Sequence, residues 1–182
     1  EVSIWSSALS AADVATLAGE IYDLKTVLSV TPVALWRMGD SGTWYPAGAS
    51  GNWLIPDQMK ITNFSNYSFA FDGATDYVDC GQISALAGAT AFTISGWFKQ
   101  TTLDQQRFMF GTFISTTNLI MAETWDDGNM YFEVKNGSNT YASFDYSTLV
   151  TAGEWFHCAC VFDGSGATDA DKFKIYIDGA LA

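Results

Sequence analysis

Five pairs of aspartate or asparagine followed by glycine divide the chain into short runs, and this punctuation limits what the chain can fold into. Such pairs accept the positive φ angles that tight reverse turns require. The runs between them are rich in aromatic and β-branched residues, which favour strands. The pairs are Asp72-Gly73, Asp127-Gly128, Asn136-Gly137, Asp163-Gly164 and Asp178-Gly179. Closely spaced turns therefore predict an antiparallel, all-β fold.

Two of the runs, 92–98 and 155–162, are apolar on both faces. This pattern is typical of strands in the interior of a packed sheet. The run 172–177 instead alternates and places Phe173 and Ile175 on one face. Because no helical pattern separates these runs, we expect two antiparallel sheets packed as a sandwich.

Two further pairs of runs are interpreted as hairpins. The runs 67–71 and 77–80 flank the turn at residues 72–73. The runs 130–135 and 140–144 flank a loop of four residues, 136–139. Alternating runs joined by such short loops predict strands that pair with each other.

The first thirty residues follow a different pattern. Ser10, followed three residues later by Asp13, is similar to a capping box at the start of a helix. Val14, Leu17 and Ile21 then recur at helical spacing. The sequence therefore predicts a short amphipathic helical segment near the N-terminus.

The charge balance excludes several classes of partner. The chain has 182 residues, of which 20 are acidic and 8 are basic, so its formal net charge is -12. Nucleic-acid phosphates and anionic membrane surfaces are bound by clustered lysine and arginine, and neither is expected as a partner. No apolar run is long enough for membrane insertion. Divalent cations and neutral ligands such as sugars stay open.

Four short motifs follow one another along the chain, at 71–78, 92–98, 153–157 and 174–179, and their order as well as their residues can be compared with known families. Together they resemble the laminin-G-like jelly rolls of the concanavalin A-like lectin and glucanase superfamily. The resemblance covers the chain from about residue 69 to its last residue, 182. It implies a two-sheet antiparallel jelly-roll sandwich.

Residues 32–40 also resemble the opening strand of such modules in structural proteins of marine bacteriophages. This second resemblance implies a virion protein, such as a capsid decoration, a fibre or an adhesin.

The two ends of the chain suggest how it is divided. Residues 1–5 and 8–14 resemble the last strand and the short helix that finish a laminin-G-like module, whereas residues 178–182 stand where the family continues into closing strands. We therefore expect residues 1–31 to be the end of a preceding module with a linker, and residues 32–182 to be a jelly roll truncated before its closing strands. Alternatively, residues 1–5 complete the sheet of the same jelly roll.

A glucanase activity would need two carboxyl groups on one site, about 5 to 5.5 Å apart in a retaining enzyme. The alternating acidic pattern of the glucanases, Glu-x-Asp-x-x-Glu, is absent. Glu133 is the only acidic residue of its run, and Glu123 is expected in a turn-like segment near Asp127. We therefore expect no enzyme. The single histidine, His157, lies in an apolar run and is expected to be structural.

Calcium is the metal that the sequence allows most readily, because carboxylates crowd two turns. The candidate ligands are Asp72 and Asp76 at one turn and Asp126 and Asp127 at the other. Alternatively, these residues serve only as turn formers beside glycine.

Sugars stack on exposed aromatic rings, and Trp44, Trp53 and Trp125 lie in loop-like contexts. The predicted binding rim joins the segment after residue 124 to the neighbouring hairpin. Its members are Trp125, Asp127, Asn139 and Tyr141. Alternatively, these rings cap the core.

These observations predict a non-catalytic interaction module of a phage virion structural protein, at the virion surface or extracellular. Its partners would be host-surface glycans, other virion or surface proteins, or adjacent laminin-G-like modules. One alternative is a lectin-like repeat of a bacterial extracellular adhesin. The other alternative is a glycan-cleaving enzyme of the glucanase type.

Overall fold

Strands dominate the computed structural model, which describes residues 2–19, 28, 30–36, 68–81 and 83–182. The strands of this part of the chain are β1 (Val2–Trp5), β2 (Ala34–Trp36), β3 (Ala91–Lys99), β4 (Arg107–Ser115), β5 (Asn118–Thr124), β6 (Asn129–Asn136), β7 (Ser138–Asp145), β8 (Trp155–Asp163), β9 (Phe173–Ile177) and β10 (Ala180–Leu181). Two α-helices accompany them in the described residues, α1 (Ala11–Gly19) and α2 (Asp169–Lys172), together with two short 3-10 helices, Ser84–Leu86 and Tyr146–Thr148.

The strands form two antiparallel sheets. The six-stranded sheet has the order β10-β9-β8-β3-β1-β2, and the four-stranded sheet has the order β4-β5-β6-β7. The predicted all-β sandwich is confirmed. The runs interpreted as interior strands, 92–98 and 155–162, fall in β3 and β8, which pair along nine residues.

The core lies between the two sheets and is built from alternate residues of their strands. The ring of Phe132, from the four-stranded sheet, packs 6.2 Å from Phe92 and 5.3 Å from Phe173, centroid to centroid. Cys158 and Cys160 of β8 face the same core and are fully buried. Because successive side chains of a strand point to opposite faces, their neighbours in β8 point away from this core.

Helix α1 covers the other face of the six-stranded sheet. The predicted start is confirmed: the backbone N–H of Asp13 donates to Ser10 Oγ at 3.2 Å, and the backbone N–H of Ser10 donates to Asp13 Oδ2 at 3.2 Å. Leu17 packs in a second cluster with Trp5 and Tyr176. One face of strand β8 contacts the core and the other contacts this cluster. This explains why the strand is apolar on both faces. No described helix is long and apolar enough to cross a bilayer.

The N-terminal strand lies inside the six-stranded sheet, between β2 and β3. Ile4 is opposite Ile94 in the register, and Ser3 Oγ lies 3.1 Å from Ser95 Oγ. The sequence left two arrangements open for residues 1–5. In the structure, residues 2–5 pair with β2 and β3 inside the six-stranded sheet, as in the alternative in which they complete the sheet of the jelly roll. The origin of residues 1–31 as the end of a preceding module stays a prediction.

Two local expectations were wrong. The runs 67–71 and 77–80, where described, form no strand: the turn between them is held by side-chain hydrogen bonds, and no strand of the described ranges pairs with either run. The loop between β6 and β7 is also shorter than four residues, since Asn136 pairs directly with Ser138. Gly137 alone makes this turn, with a φ of 81° that favours glycine.

Candidate functional site

The outer face of the four-stranded sheet carries polar and aromatic side chains. Phe132 points into the core, so its neighbours in β6, Tyr131 and Glu133, point outward. The register places Glu123 of β5 opposite Tyr131, and Tyr141 of β7 opposite Glu133. Directly paired residues share a face, so these four side chains lie together on the outer face.

Three aromatic rings run across this face and are called the aromatic row: Trp125, Tyr131 and Tyr141. The ring of Tyr131 lies 6.1 Å from the ring of Trp125 and 6.1 Å from the ring of Tyr141. Trp125 is 41% exposed and Tyr141 is 48% exposed. The planes of neighbouring rings are inclined by 66° and 46°, so the row is not one flat platform, and its two outer rings, Trp125 and Tyr141, are the ones open to a ligand.

Asp127 fixes the end of the aromatic row through a turn. Its Oδ1 accepts from the backbone N–H of Asn129 at 2.9 Å, and its Oδ2 accepts from the hydroxyl of Tyr131 at 3.0 Å. Hydrogen bonds from Asn129 lower the pKa of Asp127, because they stabilise the carboxylate. The hydrogen bond that the Tyr131 hydroxyl donates to Asp127 raises the pKa of Tyr131. The contact thus holds a carboxylate beside a neutral phenol.

Two glutamates flank the row. Glu123 is only 3% exposed, and its Oε2 accepts from Gln106 Nε2 at 2.9 Å. Glu133 Oε2 lies 2.8 Å from Lys135 Nζ. The expectation that Glu123 lies in a turn was wrong: it lies in β5, and cross-strand pairing brings it to the face that carries Glu133. The statement that Glu133 is alone in its run holds along the chain but not across the sheet.

Three of the four predicted binding residues meet at this face, namely Trp125, Asp127 and Tyr141. The backbone of Asn139 lies in β7 opposite Lys135, and its side chain lies outside the described part of the chain. Trp44 and Trp53 also lie outside it. Sequence reasoning missed Tyr131, although the alternation of residues 129–136 was a usable signal, because it placed Tyr131 opposite in face to the apolar Phe132.

The four predicted calcium ligands occupy two separate turns. Asp72 Oδ1 accepts from the backbone N–H groups of Ala74 and Thr75, both at 2.8 Å, and these bonds hold the pKa of Asp72 well below its usual value. Asp76 Oδ2 accepts from the backbone N–H of Asp72 at 3.0 Å. Asp126 is exposed beside Asp127 in the other turn.

Within the described ranges, no three acidic, histidine or cysteine side chains converge as metal ligands. The contacts of Asp72, Asp76 and Asp127 are those of turn residues. Calcium at these positions stays a prediction.

His157 lies away from the aromatic row, on the outer face of the six-stranded sheet. It is 2% exposed, and its ring packs 5.4 Å from the ring of Trp97. Burial lowers its pKa to about 4, and the nearby Asp178 opposes this shift only in part. A buried, neutral imidazole packed in a sheet fits the predicted structural role.

Comparison with known proteins gives one finding. The family model described as the concanavalin A-like lectin/glucanases superfamily matches residues 72–182. This stretch is more than half of the chain, and it contains β3 to β10 together with the whole aromatic row. A search of curated proteins and a search of solved structures each gave no match.

Proposed function

Because the chain belongs to the concanavalin A-like lectin/glucanases superfamily, we propose that it is a non-catalytic module that binds glycans on the outer face of its four-stranded sheet. The family and fold expected from the four sequence motifs are confirmed. The observation that carries the proposal is the aromatic row, with its two spacings of 6.1 Å.

The chemistry of the row suits a sugar. The C–H face of a pyranose is apolar and stacks on an aromatic ring, whereas the hydroxyls at its rim are hydrogen-bond donors that need acceptors. Asp127 and Glu133 supply carboxylate oxygens on either side of Tyr131. An apolar surface with a few convergent polar groups is the usual make-up of a small-molecule site.

Replacement of Trp125 by alanine tests the proposal. Glycan-array screening of the wild type first identifies a ligand, and titration calorimetry then compares Trp125→Ala with Trp155→Ala. Trp155 is a matched control, because it is 50% exposed but belongs to the six-stranded sheet. We expect Trp125→Ala to weaken binding about ten-fold, the effect of roughly 1.4 kcal/mol, and Trp155→Ala to leave it unchanged. Equal losses in both variants, or no glycan binding by the wild type, would contradict the proposal.

The biological setting is a separate proposal. We propose that the module is displayed at a virion surface or outside a cell, with glycans or neighbouring surface proteins as partners. The support is the sequence resemblance at 32–40, of which residues 37–40 lie outside the described part of the chain. Neighbouring genes for capsid, portal and tail proteins would support the virion, and their absence beside secretion genes would favour the alternative, a bacterial adhesin.

Glycan cleavage is a second candidate function, favoured by the shared face of Glu123 and Glu133. Glycosidases act through two such carboxyl groups. Here, however, Glu133 faces the ammonium of Lys135, and Glu123 accepts from the amide of Gln106. Both carboxyl groups are therefore already engaged by neighbouring side chains, and Glu123 is only 3% exposed. Release of reducing ends from β-glucans, lost in Glu123→Ala and Glu133→Ala, would establish cleavage and overturn the non-catalytic proposal.

We also retain calcium as a proposal with its own test. Titration of the identified glycan with and without EDTA shows whether binding depends on a divalent cation. We expect any dependence to be lost in Asp126→Asn or Asp72→Asn, since these residues represent the two turns. Dependence that both variants keep would place the cation elsewhere.

A further inference from the structure

The three rings of the aromatic row are all turned relative to one another. The plane of Tyr131 is inclined by 66° to that of Trp125 and by 46° to that of Tyr141. Because these two angles differ, the planes of Trp125 and Tyr141 cannot be parallel to each other either. No two rings of the row therefore offer parallel stacking surfaces, although neighbouring centroids are evenly spaced at 6.1 Å.

Contacts within the sheet hold this twisted arrangement in place. The hydroxyl of Tyr131 donates to Asp127 Oδ2 at 3.0 Å, and Asp127 Oδ1 accepts from the backbone N–H of Asn129 at 2.9 Å. The backbone N–H of Trp125 donates to the carbonyl of Asn129 at 2.9 Å, and Tyr141 lies within the regular pairing of β7 with β6. The orientation of the rings is thus set before a ligand arrives, so a ligand of matching shape binds without the cost of ordering them.

Glycan chains differ in how far successive sugars are rotated about the chain axis. In a two-fold chain each sugar is rotated by half a turn, so all the C–H faces are parallel and the chain is a flat ribbon. In a three-fold chain each sugar is rotated by a third of a turn, so the planes of successive sugars are inclined to each other. Two contacts strengthen binding together only where one ligand can make both at once. A flat ribbon can therefore stack fully on one ring of the row, whereas a twisted chain can stack on two.

We infer that the aromatic row selects single, twisted glycan chains over flat two-fold chains and the crystalline surfaces that such chains form. The inference rests on the proposed function and names its ligand class. The rings that contact the glycan are the two outer ones, Trp125 and Tyr141, which are 41% and 48% exposed. Tyr131 lies between them and, through its bond to Asp127, is a positioning residue for the row.

Three probes test the inference with the full chain: a β-1,4-linked xylose hexamer, which is a three-fold chain, a β-1,4-linked glucose hexamer, and microcrystalline cellulose, in which the same glucose chains are held flat. We expect the xylose hexamer to bind roughly five-fold more tightly than the glucose hexamer in titration calorimetry, because it engages two rings at once. Cellulose should retain no protein in a pull-down.

The outcomes separate this inference from the proposed function. Retention on cellulose, or equal affinity for the two hexamers, would overturn the inference and leave the proposed function standing. The same holds if a glycan array identifies a ligand but the xylose hexamer does not bind. No binding of any glycan, in solution or on the array, would overturn both.

Removal of one outer ring tests whether the preference arises at the row. Tyr141→Ala leaves Trp125 as the open ring of the row, so the variant should bind the two hexamers with equal affinity. Trp125→Ala should lose the preference from the other end, and urea unfolding of both variants shows that each is folded. Trp155→Ala is the matched control, because Trp155 is 50% exposed on the six-stranded sheet, and it should keep the preference. A preference that persists in either row variant, or that is lost in Trp155→Ala as well, would overturn the inference.

Discussion

The outer faces of the two sheets use similar residues for opposite purposes. On the six-stranded sheet, Trp5 is fully buried and Tyr176 is 3% exposed, because α1 lies over them. On the four-stranded sheet, Trp125 and Tyr141 are open to solvent. Aromatic content therefore does not separate core from site in this chain. What separates them is whether another layer, such as α1, covers the face on which the aromatic side chain lies.

Polar groups follow the same division. Under α1 they bond to one another: the backbone N–H of Leu9 donates to Thr93 Oγ1 at 2.9 Å, and Thr93 Oγ1 donates to the carbonyl of Ser7 at 2.9 Å. On the four-stranded sheet, carboxylates stand beside exposed rings instead. Substitutions on the covered face should therefore reduce stability, and substitutions on the open face should reduce binding.

The largest effect that sharpens this comparison is expected from Trp5→Ala. The substitution leaves a cavity between the sheet and α1, and it should lower the free energy of unfolding by about 3 to 5 kcal/mol. Trp125→Ala is the counterpart on the open face and should change it by about 0.5 kcal/mol or less. Urea unfolding of both variants measures the two values. Similar losses would show that the two faces do not differ in this way.

The second effect is the dependence of the free energy of unfolding on pH that is caused by His157, which is buried on the outer face of the six-stranded sheet. Burial lowers its pKa from 6.5 to about 4, so between these values the unfolded chain binds a proton that the folded chain does not. Its contribution is fully present above pH 6.5 and is lost as the pH falls toward 4, by on the order of 3 kcal/mol in total. Urea unfolding at successive pH values measures the slope.

His157→Gln is the control for this slope, because glutamine does not titrate. The variant should have a flatter profile over the same pH range. A slope that persists in His157→Gln would assign the pH dependence to other groups.

Much of the covered half of the fold could be predicted from local sequence. The run 155–162 has apolar residues on both of its faces. As expected from this, one face of β8 contacts the core, and the other contacts the second cluster, which includes Leu17 of α1. Ser10 and Asp13 marked the helix start, because a cap depends on residues only three apart. Such signals need no knowledge of the partner strand.

The open face could be predicted only in part, because it depends on register. Glu123 follows an unremarkable run and precedes a turn, so its place opposite Tyr131 is set by pairing between strands. Tyr131, by contrast, was overlooked although the alternation of its own strand already placed it on the face opposite Phe132. Alternation alone also predicted strands around Asp72, where the described residues form none. A strand needs a partner in register as well as an alternating pattern.

The smallest expected effect tests the hydrogen bond that organises the open face. The hydroxyl of Tyr131 donates to Asp127 at 3.0 Å, and this bond is the first cause of the raised pKa of Tyr131. Asp127→Ala removes the acceptor and the charge, so the pKa should fall toward its ordinary value of 10.0. Asp127→Asn keeps an acceptor without the charge and should give an intermediate pKa. Ultraviolet titration of tyrosine ionisation, with Tyr131→Phe to identify the signal, measures all three. If Asp127→Asn matched Asp127→Ala, the charge of Asp127 would hold the phenol proton and the hydrogen bond would not, and the open face would be an electrostatic surface more than a hydrogen-bonded one.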